Sequence, residues 1–206
     1  MRHDATRVAG FAAAALLAPA LVIAPALVPV GSAPLIPAAS AECPGAEVVF
    51  ARGREEPPGL GAVGDALVNS LRGKTRMSVG AYGVNYPANI TVDSGANDMA
   101  AHVQSMATSC PNTREVLGGY SLGAEVADLA TWSRIPPGLD QHVAAVALFG
   151  NGTRKVAPAF AGKTIDQCAQ GDPICRNGTT WAAHLQPSYI GSGLVDQAAA
   201  FVAGRL

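Results

Sequence analysis

The sequence has 206 residues and a formal net charge of −1, and only 14% of its residues are charged. It contains no basic patch and no run of like charges, so neither nucleic acid nor an anionic membrane surface is expected as a partner. The length left after an N-terminal export signal, about 165 residues, is enough for one domain with a sizeable core.

The first 41 residues are predicted to be that export signal. Two arginines near the start precede a long alanine-rich apolar run, and Ala39–Ala41 supplies the small residues that signal peptidase recognises. A retained membrane anchor is the alternative, but Pro19, Pro25 and Pro29 interrupt the apolar run. We therefore expect cleavage before Glu42 and secretion, with retention at the cell envelope as a variant and no stable membrane insertion.

Residues 42–206 alternate between predicted strands and predicted helices. In chain order, the strands are AEVVFARG, MSVGAYGVNYP, REVLGG, HVAAVALFG and KTIDQC. Apolar residues at helical spacing predict helices over 60–71, 99–110, 124–132 and 195–202. This alternation predicts one α/β domain, with a mostly parallel five-stranded sheet and helices on both of its faces.

All four cysteines lie after the predicted export signal: Cys43, Cys110, Cys168 and Cys175. An even number in an exported chain indicates two disulfides, and the sequence alone permits three ways of pairing them. A zinc site is disfavoured because the sequence contains no Cys-x-x-Cys pair.

Ser121 lies in the stretch GGYSLG, between Gly119 and Gly123. A Gly-x-Ser-x-Gly spacing is weak evidence in a chain with 23 glycines, because it arises there by chance. Its position is more specific: it falls where a predicted strand ends and a predicted helix begins, as the nucleophile elbow of an α/β-hydrolase requires. The glycines would leave room for the sharp turn, and the helix N-terminus favours a developing negative charge.

A nucleophilic serine needs a histidine base, and in this fold the base follows the serine in the chain. Three histidines follow the predicted export signal. His102 precedes Ser121 on a predicted helix, and His142 begins a strand, at the end away from the active site of a parallel sheet. His184 is therefore the expected base.

The acid that orients this base should lie between Ser121 and His184. Asp172 comes just after a predicted strand, in CAQGDPIC, and Pro173 holds it away from helical angles. The other acidic candidates are predicted to lie on a helix, before a strand or within one: Glu125, Asp128, Asp140 and Asp166. Asp172 is the expected acid, and a solvated turn aspartate is the alternative.

Several ordered motifs together resemble the cutinases, in particular the cutinase-like serine esterases secreted by mycobacteria and related actinobacteria. They are CPGAEVVFARG, GLGAVGDALVNSL, VNYPA, GANDMAAHVQSMATSCPNT, GGYSLGA, HVAAVALFGNG, KTIDQCAQGDPIC and the isolated His184. The resemblance implies a lidless α/β-hydrolase with Ser121 as nucleophile, His184 as general base and then acid, and Asp172 orienting the imidazole. It also implies two disulfides, Cys43–Cys110 and Cys168–Cys175.

Two residues depart from the family pattern. Leu122 stands where cutinases usually have glutamine, and Arg54 stands where they usually have serine or threonine after Ala-Arg-Gly. The resemblance assigns both positions to the oxyanion hole. A backbone N–H serves there with any side chain, whereas loss of a donor can cost about 100- to 1000-fold in rate.

The function implied is hydrolysis of short- to medium-chain acyl esters or lipids, and not of plant cutin, by a secreted monomer. No metal or cofactor is expected to take part. Two alternatives stay open: a catalytically weak lipid-binding protein of the cell envelope, and an acyltransferase that passes the acyl group to a carbohydrate. If Arg54 faces the cleft, we expect its charge to favour esters that carry an anionic group.

Overall fold

The computed structural model describes residues 42–206. The predicted export signal lies outside these described residues. Within them, no helix combines the length and the apolar character needed to cross a membrane.

A five-stranded, wholly parallel sheet forms the centre of the fold, as the alternation of elements predicts. Its strands are β1 (Ala46–Ala51), β2 (Val79–Gly83), β3 (Arg114–Tyr120), β4 (Val143–Phe149) and β5 (Thr164–Gln167). The spatial order is β2-β1-β3-β4-β5, so the direction of winding reverses between β1 and β3. In open parallel sheets, ligands bind at this reversal, beyond the carboxyl ends of the two strands.

Helices cover both faces of the sheet. They are α1 (Gly61–Arg72), α2 (Asp93–Ser109), α3 (Leu122–Ser133), α4 (Pro158–Ala161), α5 (Gln186–Gly191) and α6 (Leu194–Ala203). Side chains of α1 and α6 pack on one face and those of α2 and α3 on the other, each around its own apolar cluster. Strand β4 is buried along its whole length, which explains its uninterrupted apolar sequence.

The structure differs from the prediction in short elements. Helices α4 and α5 and two 3₁₀ turns, Leu139–His142 and Trp181–His184, were not expected. His142 therefore ends a turn and does not begin β4, and His184 ends a turn and does not lie in an irregular loop. Elements of four to six residues are too short to show a helical period, so their sequences carry no such signal.

Candidate active site

Ser121 lies between β3 and α3, at the reversal of the sheet, with φ 54° and ψ −119°. Such angles are unfavourable for a residue with a side chain, and they persist only where the surroundings fix them. Here the Ser121 N–H donates to the Phe149 carbonyl at 2.8 Å, and the Ser121 carbonyl accepts the Ala124 N–H at 2.9 Å. The turn directs the hydroxyl out of the carboxyl end of the sheet.

The two glycines of the motif are required by close backbone contacts. A Cβ at Gly119 would lie 2.0 Å from the Gly123 carbonyl oxygen, and one at Gly123 would lie 1.9 Å from the Ala51 carbonyl oxygen. No rotamer change relieves a clash with backbone. The spacing therefore reflects close packing between β1, β3 and the first turn of α3.

His184 lies within hydrogen-bonding distance of the serine, and only 4% of its surface is exposed. Its Nδ1–H donates to Asp172, which leaves Nε2 to accept the Ser121 hydroxyl proton across 2.8 Å. The Tyr120 hydroxyl donates to the backbone carbonyl of His184. Gly150 (φ 62°) passes beneath the ring, where an added Cβ would lie 3.0 Å from His184 Cε1.

The Asp172 carboxylate is fully buried and accepts several hydrogen bonds. Oδ2 accepts His184 Nδ1–H at 2.7 Å and the Tyr189 hydroxyl at 2.5 Å, and Oδ1 accepts the Ile174 N–H at 2.6 Å. Burial acts to raise the pKa of Asp172, but the bonds from Tyr189, His184 and Ile174 outweigh it and hold this pKa below its ordinary value. The carboxylate is therefore charged at neutral pH, as the partner of a histidine base must be.

The loop after β1 carries Arg54 over the same crevice. The Glu56 carboxylate accepts the Gly53 N–H at 2.6 Å and the Ala62 N–H at 3.0 Å. Buried Arg52 donates to the Glu56 carbonyl at 2.7 Å, which fixes the base of the loop. Among the described residues, neither the Arg54 nor the Leu122 backbone N–H has a hydrogen-bond acceptor.

A cleft of about 450 Å³ opens over Ser121. Its rim carries unusually exposed apolar side chains: Ile90, Ile174, Trp181 and Leu185. Its charged residues have both signs, since Glu55 and Glu125 line the cleft together with Arg54. Burial and the nearby Asp128 raise the pKa of Glu125.

The structure contains the two disulfides that the family resemblance implies, Cys43–Cys110 and Cys168–Cys175. The second closes the short loop that carries Asp172. Both cysteines of this loop lie close to the Asp172 carboxylate, but their sulfurs are bonded to each other and are not available to a metal ion.

The histidines set aside on sequence grounds lie elsewhere. His102 pairs with Glu47 at 2.7 Å, and His142 lies in the 3₁₀ turn before β4. Asp128 accepts hydrogen bonds from Asn151 and Thr153, away from the serine.

Sequence reasoning missed the residues that support the site from outside it. Tyr120 and Tyr189 hold His184 and Asp172, while Arg52 and Glu56 hold the loop of Arg54. Each acts on a partner that only the folded chain brings close. No local pattern in the sequence could identify these contacts.

Comparisons with known proteins agree with this architecture. The family model "Cutinase" matches residues 42–206. The probable carboxylesterase Culp2 of Mycobacterium tuberculosis is 52% identical, covering 95% of this chain and 94% of its own. The phospholipase Culp4 of the same organism is 48% identical, and the match covers 98% of this chain and 93% of Culp4.

Solved structures show the same fold. The Trichoderma reesei cutinase in complex with a phosphonate inhibitor superposes with a TM-score of 0.66 at 35% identity, covering 79% of this chain and 76% of that one. The catalytic core of the acetyl xylan esterase from Trichoderma reesei gives a TM-score of 0.69 at 25% identity. This match covers 80% of this chain and 100% of that one. The chain is a member of the cutinase family, with an α/β-hydrolase fold.

Proposed function

We propose that this protein is a serine esterase that hydrolyses carboxylic esters. The observation that carries the proposal is the continuous hydrogen-bond chain from Ser121 through His184 to Asp172. A half-buried serine on a strained turn, a histidine whose Nε2 faces it and a charged acid are the groups that acyl transfer to serine needs. The carboxylesterase and phospholipase names of its relatives support the same activity.

The reaction has two halves. Ser121 attacks the ester carbonyl while His184 Nε2 takes its proton, and His184 then delivers that proton to the leaving alcohol. Water attacks the acyl-enzyme with His184 again as base, which releases the carboxylic acid and restores the serine. Asp172 stays ionised throughout and stabilises the imidazolium. No step involves a metal ion or a cofactor.

The negative oxygen of each tetrahedral intermediate is bound by the N–H groups of Leu122 and Arg54. Two observations support this assignment: both groups lack another acceptor among residues 42–206, and α3 begins at Leu122. The helix N-terminus adds partial positive charge at this point. Because the donors belong to the backbone, the departures from the family pattern at these two positions leave the oxyanion hole functional.

The substrates proposed are short- to medium-chain acyl esters or lipids, and not plant cutin. The apolar rim of Ile90, Ile174, Trp181 and Leu185 would contact an acyl chain or a lipid surface, and the relative named a phospholipase fits this class. Export of the chain is part of the proposal and is supported by the two disulfides, which persist in oxidising compartments.

The charge of Arg54 gives a narrower proposal about substrate choice. Arg54 lines the cleft, so esters with an anionic group near the scissile bond should be favoured if its guanidinium reaches the substrate. Glu55 and Glu125 line the same cleft and oppose this preference, so the effect should be modest. Arg54→Ser should lower the ratio of kcat/KM for an anionic ester over its neutral analogue about two- to tenfold. An unchanged ratio would show that Arg54 does not contribute to the choice of substrate.

The proposed function is tested with a p-nitrophenyl ester series and an active-site phosphonate probe. We expect labelling at Ser121, and Ser121→Ala should abolish labelling and lower kcat by at least about 10⁴-fold. The matched control is Ser105→Ala, at an exposed position of α2. Absence of labelling at high probe concentration would indicate a lipid-binding protein. Acyl transfer to added trehalose in preference to water would indicate an acyltransferase.

A further inference from the structure

A second group of ionisable side chains lies at the opposite end of the sheet from Ser121. Glu47 of β1 and Glu115 of β3 are neighbours in the parallel register, and His102 of α2 lies against them. Each of the three can place one ligand atom within 4.8 Å of the others. We refer to these residues as the Glu47–His102–Glu115 cluster.

Glu115 is the unusual member of the cluster. It is only 1% exposed, and neither of its carboxylate oxygens has a hydrogen-bond partner among the described residues. A buried carboxylate without donors is strongly unfavourable, and a second carboxylate on the adjacent strand adds repulsion. The His102 Nε2–Glu47 Oε2 contact of 2.7 Å gives Glu47 a partner and leaves the Glu115 carboxyl without one among the described residues.

We propose that the cluster binds one divalent transition-metal ion, with Zn²⁺ as the best fit. Two carboxylates and one imidazole are a donor set that zinc uses, whereas Ca²⁺ and Mg²⁺ prefer oxygen ligands alone. Zinc bonds of about 2.1 Å place tetrahedral ligands about 3.4 Å apart. The three ligand atoms lie within 4.8 Å of one another and would move closer together on binding, and water would supply the fourth ligand.

The surroundings of the cluster suit such a site. The His102 ring stacks on the Tyr82 ring at a centroid distance of 3.7 Å and an angle of 9°, which fixes the plane of the imidazole. The Tyr82 hydroxyl is in turn held by Asp98. The side chains of His102 and Glu47 are 18% and 13% exposed, which gives an ion a path to buried Glu115.

The metal ion would have a structural role. Six residues of extended chain separate Glu115 from Ser121, which corresponds to about 20 Å. The ion therefore has no part in the ester chemistry. It would join β1, β3 and α2 at the amino end of the sheet and neutralise the charge of Glu115.

The test uses the untagged full chain, stripped of metal with a chelator and titrated with Zn²⁺ against a chromophoric competitor. We expect one equivalent of bound zinc and a higher Tm with Zn²⁺, but not with Ca²⁺. Glu115→Gln and His102→Gln should each weaken zinc binding at least about 100-fold while esterase activity is kept. The matched control His142→Gln, outside the cluster, should bind zinc like the wild type.

Two results would overturn the proposal. One is zinc affinity that Glu115→Gln and His102→Gln leave unchanged, which would mark an adventitious ion bound elsewhere. The other is absence of zinc binding by the wild type, which would mean that a proton and not a metal ion neutralises Glu115. If Glu115→Gln does not fold, His102→Gln decides the comparison alone.

Discussion

Replacement of Tyr189 by phenylalanine tests how the structure keeps Asp172 ionised. Tyr189 is fully buried, and its hydroxyl donates to Asp172 Oδ2 at 2.5 Å. Burial and the hydrogen bond to Asp172 raise the pKa of Tyr189, so the hydroxyl remains a donor at every pH used below. The substitution removes this donor and keeps the ring in its edge contacts with Tyr120 and Phe149.

The expected loss follows from the charge of the acceptor. A hydrogen bond to a charged group contributes about 1.5–3 kcal/mol, whereas a neutral pair contributes about 0.5–1.5 kcal/mol. Tyr189→Phe should therefore lower the free energy of unfolding by about 2 kcal/mol at pH 7. Tyr120→Phe is a matched control, because its hydroxyl donates to the neutral carbonyl of His184 in the same core. It should cost about 1 kcal/mol.

The two losses should also differ in their pH dependence. The pKa of Asp172 is lowered on folding, so its contribution to stability is present above the unfolded pKa of about 3.9 and is lost as the pH falls through the folded value. The loss caused by Tyr189→Phe should therefore shrink, toward about 1 kcal/mol, as the pH falls below the unfolded pKa and folded Asp172 takes up its proton. That caused by Tyr120→Phe should not change.

Urea unfolding followed by intrinsic fluorescence, with the disulfides intact, measures both losses between about pH 7 and pH 2.5. Equal losses for the two variants at pH 7 would refute the reasoning. So would a Tyr189→Phe loss that stays constant in acid, because the charge of Asp172 would then contribute nothing to this bond.

Further expectations concern the acid, the elbow and a second buried carboxyl. Asp172→Asn should lower kcat about 10⁴-fold, measured with a p-nitrophenyl ester, because an amide in its place favours the wrong histidine tautomer. Gly123→Ala should cost more than about 3 kcal/mol in urea unfolding, since its Cβ would lie 1.9 Å from a carbonyl oxygen, whereas Gly162→Ala meets nothing within 4 Å and should be tolerated. Burial and the nearby Asp128 raise the pKa of Asp166 to about 6, although Arg154 opposes them. The stability that Asp166 contributes is therefore present at low pH and is lost as the pH rises through about 6. Between about pH 4 and pH 8, the free energy of unfolding of Asp166→Asn should therefore rise relative to that of the wild type, by about 3 kcal/mol at most. A difference between the two proteins that does not change with pH would contradict this.

The order of elements and the position of the candidate nucleophile could be predicted because both depend on local pattern. Strand β4 is apolar along its length because both of its faces are covered, and Ser121 follows a strand with glycines on either side. The geometry explains the glycines through contacts that the sequence does not show. The atom that excludes a Cβ at Gly123 belongs to Ala51, in a strand more than 70 residues earlier.

His184 and Asp172 were chosen by chain order and by elimination, which was possible because the chain has few histidines, and the structure places His184 beside Ser121 and Asp172 beside His184. Tyr189 and Glu56 could not be found in this way, since tyrosines and glutamates occur in many roles and neither lies in a chemical motif. Their function depends on which carboxylate or loop they reach after folding. The contacts that support the candidate site are tertiary, while its candidate reacting groups are marked in the sequence.

Two buried carboxylates, at opposite ends of the sheet, differ in the hydrogen-bond donors that the fold supplies to them. Asp172, at the carboxyl end, accepts two backbone N–H groups, a tyrosine hydroxyl and an imidazole N–H, so its charge is stable where catalysis would use it. Glu115, at the amino end, has no donor among the described residues although it is equally buried. A fold that supplies four donors to one carboxylate and none to another needs a positive charge or a proton at the second. The metal ion proposed for the Glu47–His102–Glu115 cluster would supply that positive charge, and the partly exposed side chains of His102 and Glu47 would give it access to Glu115.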